Sequence, residues 1–170
     1  GIVTGNNLCA SLDVAGAAIE VVSCTANAGT LTADQMTVGL ESGTATISAT
    51  ANGDIVVPAN YEVAYVLTEG EELVIQGLST TAPSFEVTEA GNYTIHTLVA
   101  EISDNTDPNF LDVSIVVPGQ TTGGDVLGIV TGNNLCASLD VAGAAIEVVS
   151  CTANAGTLTA DQMTVGLESG

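Results

Sequence analysis

The sequence contains no lysine and no arginine, and His96 is its only residue with a basic side chain. Its 20 aspartates and glutamates, in 170 residues, set the formal charge at −20 at pH 7. Counterion release from a phosphate backbone has no cationic donor here, which excludes nucleic acid as a partner. An anionic membrane surface would repel the chain. Lysine–asparagine isopeptide cross-links are excluded, and trypsin finds no cleavage site. Tryptophan is absent and aromatics make up only 3%, so the core must be built from Val, Ile, Leu and Ala. No apolar run approaches the roughly 18 residues of a membrane helix, so the chain is not expected to be membrane-embedded. It begins at Gly1 without Met, basic n-region or h-region, and reads as a processed or excised piece of something longer.

Hydrophobic residues make up 46% and charged residues 12%, too apolar a balance for an acidic disordered tail. A folded acidic protein is expected. Its organisation is periodic. Residues 1–43 recur without a single change as residues 128–170, an offset of 127. Burial alone constrains only size and polarity at core positions, so identity at every Thr, Ser and Asn implies recent duplication or a homogenised tandem array. The period exceeds a solenoid rung of about 20–50 residues and is long enough for a domain. The division expected is 1–27 as the end of a preceding repeat, 28–150 as a complete repeat, and 151–170 as the start of the next.

Strand signals fill the period. Ala45, Ile47, Ala49 and Ala51 alternate with Thr44, Thr46, Ser48 and Thr50, the period of a half-buried strand. Tyr61, Val63, Tyr65 and Leu67 mark a second strand; Leu73–Gln76, Phe85–Val87 and Asn92–Ala100 continue the series. Leu111, Val113, Ile115 and Val117 read as a strand closed by Pro118-Gly119, and Ala144–Ser150 as the last one. Residues 121–140, rich in Gly and Asn, read as a long loop with a short helical turn. Strands about ten residues apart, separated by Gly, Pro and Asn, imply an all-β antiparallel sandwich. Glu89-Ala-Gly-Asn-Tyr93-Thr-Ile95 sharpens this to an immunoglobulin-like β-sandwich. There, a corner tyrosine bonds back to the backbone two residues before a core position. Tyr93 takes that role, Ile95 stands where a cysteine is usual, Ile47 faces it from another strand, and Tyr65 substitutes for the missing Trp.

Several runs carry a family resemblance: Gly29-Thr-Leu-Thr-Ala, Ser42-Gly-Thr-Ala-Thr-Ile-Ser-Ala-Thr, Gly91-Asn-Tyr-Thr-Ile-His-Thr-Leu-Val, and Asp112-Val-Ser-Ile-Val-Val-Pro-Gly. With Tyr65-Val-Leu-Thr, Leu73-Val-Ile-Gln and Leu139-Asp-Val-Ala-Gly-Ala, they resemble the tandem repeats of very large secreted cell-surface proteins of gliding and marine Bacteroidetes. The resemblance implies export by the type IX pathway, an extracellular or cell-surface location, and service as stalk or filament in an adhesin linked to adhesion or gliding. Members often carry a Cys at the loop corresponding to Val38-Gly39; this chain has Cys24 instead, so the family's bridge is not carried over.

The chemistry-bearing residues are few. Cys9, Cys24, Cys136 and Cys151 are disulfide candidates. Pairing Cys136 with Cys151 would close a loop of about 15 residues, contributing about 3 kcal/mol in the chain-entropy model. Asp104, Asn105, Asp107 and Asp112 crowd one loop with oxygen ligands of the kind calcium takes, without the EF-hand pattern; no other cofactor is expected. Glu69, Glu71 and Glu72 read as a solvated hairpin tip. His96 has no second histidine, basic group or Gly-x-Ser-x-Gly around it, so hydrolytic chemistry lacks material, and a structural histidine is expected rather than an enzyme. Three functions follow. The first is a filament repeat stacked end to end on identical neighbours. The second is a module binding a glycan, surface ligand or calcium through residues 121–134 or the Asp104 loop. The third is a donor-strand polymer in which Ala17–Ser23 completes another subunit's sheet.

Overall fold

The structure, a computed structural model, describes residues 23–150 and 156–159. In chain order its strands are β1 (Leu31–Ala33), β2 (Thr37–Leu40), β3 (Ala45–Ala51), β4 (Glu62–Glu69), β5 (Val74–Ser79), β6 (Ser84–Val87) and β7 (Gly91–Ala100). A 3₁₀ turn (Val113–Ile115), helix α1 (Gly123–Gly132), β8 (Ser138–Leu139) and β9 (Ala144–Ser150) follow. β1, β3 and β6 form one sheet; the second has the order β2-β9-β7-β4-β5, with β8 also paired to β7. The result is a mostly β two-sheet protein.

Alternation explains the first core. Ala45, Ile47 and Ala49 of β3 point inward and their Thr and Ser neighbours point out, as the period of two requires. From the larger sheet, Leu67, Tyr93, Ile95, Ala144, Ile146 and Val148 meet them, with Phe85 and Tyr65 at the margin. One pairing departs from the antiparallel expectation: β2 runs parallel to β9, Thr37 opposite Glu147 through Leu40 opposite Ser150. The cause lies in the preceding residues. β1 pairs with β3, and the chain then crosses to the other sheet at Asp34–Met36. The Asp34 carboxylate accepts the hydroxyls of Ser48 (2.6 Å) and Thr50 (2.7 Å), pinning the crossing point to β3. Those bonds also hold its pKa below the ordinary carboxylate value.

The second core was not expected. β4 and β7 are buried on both faces, so Val66-Leu67-Thr68 and Ile95 through Ala100 are continuously buried, as in a strand covered on each side. Ala64, Val66, Ile75, Leu98 and Ala100 face away from the small sheet and pack with Leu111 and Val126. Two corrections supply that cover. Residues 111–117 are not a strand: Asp112 Oδ1 accepts from the amide (2.9 Å) and hydroxyl (2.6 Å) of Ser114, and this local turn outcompetes the ladder. Leu111 stays buried, while Ile115 and Val117 are exposed. Residues 123–132 form ten residues of helix rather than a brief turn. Thr122 and Asp125 make a reciprocal capping box, and Val126, Ile129 and Val130 give the helix one apolar face on this core.

Candidate functional site

The end of the protein where β7 finishes holds most of the sequence-singled residues. Cys24 is disulfide-bonded to Cys136, with Cα atoms 5.2 Å apart and 112 residues of sequence between them. This corrects the expected Cys136–Cys151 pairing. Local spacing favoured a short loop, but topology decides otherwise. Residues before β1 lie beside β8, where the Ala28 amide donates to Ser138 Oγ (2.9 Å). β9 then carries the chain along β7 from Ile95 towards Gly91, away from Cys136. Cys9 and Cys151 lie outside the described residues.

Beside the bridge, the Cys136 amide donates to Asn109 Oδ1 (3.1 Å), tying it to the acidic loop. Glu101 organises that loop and was missed by sequence reasoning. Its residue is 1% exposed, and Oε1 accepts from Ser103 N (2.8 Å), Ser103 Oγ (2.7 Å) and Asp104 N (2.9 Å). Those bonds, the Ser103 hydroxyl foremost, hold its pKa below the ordinary value. The signal available was Glu-x-Ser-Asp directly after a strand. The calcium candidates are not gathered. Asp104 Oδ1 accepts from Thr106 N and Oγ1, Asp107 Oδ1 from Asn109 N, and Asp112 from Ser114. Asn105 is exposed in the same loop. Among the described residues, no three His, Cys, Asp or Glu side chains are grouped to hold a metal. Each carboxylate closes its own turn.

Tyr93 is buried and its hydroxyl donates to the Glu89 carbonyl, four residues upstream, at 3.2 Å. Burial first, then Glu69 and Glu89, raise its pKa, so it stays a neutral donor. Ile47 and Ile95 are both 0% exposed in the core between the sheets.

A cavity of about 140 Å³ lies between the larger sheet and α1. Val66, Ile75, Leu98, Val126 and Ile129 line it, and the exposed Ile115, Leu127 and Val141 stand at its rim. His96 and Thr68 are the hydrogen-bonding side chains in its sheet floor. His96 is 3% exposed. Its Nδ1–H donates to the Asp140 carbonyl (2.8 Å), and its Nε2 accepts from the Thr68 hydroxyl (2.9 Å). A carbonyl can only accept, which fixes that tautomer. Both nitrogens are therefore engaged, and the cavity offers dispersion contacts rather than a proton carrier.

Desolvation is the main influence on His96 and pushes its pKa below 6.5, against the opposing pull of the Asp140 carbonyl and charge. In the unfolded chain the ring titrates near 6.5. As pH falls through that value the unfolded state takes up a proton that the folded state refuses. The neutral ring's contribution is thus complete above about pH 6.5 and is lost as pH falls toward the depressed folded value, by at most about 1.4 kcal/mol per pH unit. His96→Gln should therefore show a shallower fall of melting temperature between pH 7 and 5 than the parent. Parallel curves would rule this out.

No family model, curated protein or solved structure matches the chain.

Proposed function

We propose that the chain is an immunoglobulin-like repeat of an extracellular surface filament of adhesin type, acting as spacer and scaffold rather than catalyst. The observation that carries this is the unaltered return of residues 1–43 at 128–170. The bridged pair, Cys24 and Cys136, falls within one period. The immunoglobulin-like assignment is supported by the first strand's switch between sheets, the parallel pairing of β2 with β9, and the Tyr93–Glu89 bond. A surface of carboxylates without cations suits a rod in saline media. Mutual repulsion straightens it, and screening within about 8–10 Å keeps the penalty small.

The working mechanism is end-to-end stacking of identical units through short junctions, with neighbouring repeats as the main partners. Boiling the native assembly in detergent and separating it by electrophoresis tests this. A covalent array gives a very large band. A set of small bands would overturn it in favour of strand exchange, because Ala17–Ser23 repeats the sequence of β9, which occupies the slot between β2 and β7.

A further inference from the structure

We propose that the Cys24–Cys136 bridge is a covalent load bypass, which leaves each unit nearly inextensible when the chain is pulled through its ends. The setting rests on the filament reading above; the mechanics rest on the topology. Tension arriving at Cys24 has two routes to Ser150. One runs through 112 residues of folded chain, and the other crosses the disulfide directly to Cys136. The covalent route is the shorter, so the backbone between the two cysteines, β1–β7 and α1 included, adds no length under load.

What remains under load is the stretch from Cys136 to Ser150, whose contour is about 50 Å at full extension. Much of it is extended already. Ser138 and Leu139 pair with Val99 and Leu98 near one end of β7, and Val148 pairs with Gly91 at the other. The path therefore follows β7 from end to end along the strand direction. β9 is held on both sides, by β2 in parallel and β7 antiparallel. A pull along its axis loads both ladders together instead of opening them one bond at a time. The small sheet of β1, β3 and β6 lies off this path.

The test is single-molecule stretching of the full chain, tethered at its two ends, with its four native cysteines. Under oxidising conditions residues 24–150 should give no step longer than about 50 Å. With reductant present, or in Cys24→Ser/Cys136→Ser, unfolding should release about 390 Å more, the extended length of the bypassed segment. If the double variant does not fold, reductant added while the oxidised chain is held under load should yield the same gain as one discrete step. A reductant-dependent gain near 50 Å, expected for Cys136 joined to Cys151, or no gain, overturns the proposal. So does a long step in the oxidised chain. Electrophoresis of the native assembly reads covalent continuity between units and is indifferent to the bridge, so the two ideas fail separately.

Discussion

Truncating Ile95 to alanine should lower the unfolding free energy by about 3–4 kcal/mol, and Ile47→Ala by a similar amount. Ile95 sits on β7 opposite Leu67 of β4 and Ala144 of β9. Ile47 sits on β3 opposite Phe85. Both have no exposed surface and share the core between the sheets. In many immunoglobulin-like sandwiches a disulfide joins the layers at the centre of the core; among the described residues here, apolar contact does so. No salt bridge can substitute, since the chain lacks Lys and Arg. A protein with a typical stability of about 5–15 kcal/mol would keep little margin after either change. The double variant should lose less than the sum, by about 0.5–3 kcal/mol, because both side chains belong to one packed cluster. Denaturant titrations of the four proteins measure this. Losses under about 1 kcal/mol, or strict additivity, would mean the sheets do not meet at these residues.

How far the sequence announced this fold varies with how local the cause is. β3 and β9 were legible because each has one buried face, so apolar and polar residues alternate. β7 is legible as a strand, but its burial on both faces is not, although Ile95-His-Thr-Leu-Val-Ala100 is a continuous buried run. Tyr93 and Ile95 serve the core between the sheets, while Leu98 and Ala100 serve the one beneath the helix. α1 was hidden by four glycines in ten residues, each weakening helix propensity by about 1 kcal/mol against alanine. Its capping box at Thr122 and Asp125 was readable and was overlooked. In Leu111–Val117 the period of two was genuine but misleading, since Asp112 and Ser114 form a turn that alternation cannot register. The bridge could not be read from spacing. Only the three-dimensional course of the chain brings residues 24 and 136 together. Glu101 did leave a local trace in Glu-x-Ser-Asp, since its partners are Ser103 and Asp104, but its burial did not show, because a carboxylate after a strand ordinarily points to water.

The turn between β8 and β9 concentrates these dependencies, and Gly143→Ala should destabilise the protein by about 2–5 kcal/mol. Gly143 has φ +59°, a left-handed conformation that costs a side-chain-bearing residue about 1–2 kcal/mol. A methyl group there would also fall 2.6 Å from Thr94 Cγ2, 2.7 Å from His96 Nδ1 and 2.7 Å from the Ile95 carbonyl oxygen. Two of these belong to the backbone of β7 or to a ring locked at both nitrogens, so the turn itself must move, at a cost of about 1–3 kcal/mol. Movement pulls Asp140 away, because its carboxylate accepts from the Gly143 amide (3.2 Å) and its carbonyl holds His96 (2.8 Å). Gly119→Ala is the matched control. It has φ +76° with nothing within 4 Å of the added carbon, so it should cost only the backbone part, about 1–2 kcal/mol. The excess loss in Gly143→Ala measures the contact. In that variant the His96 ring should also lose its single Nδ1–H tautomer by nitrogen NMR. Equal losses in the two variants, with the tautomer unchanged, would show that the turn does not rest against β7.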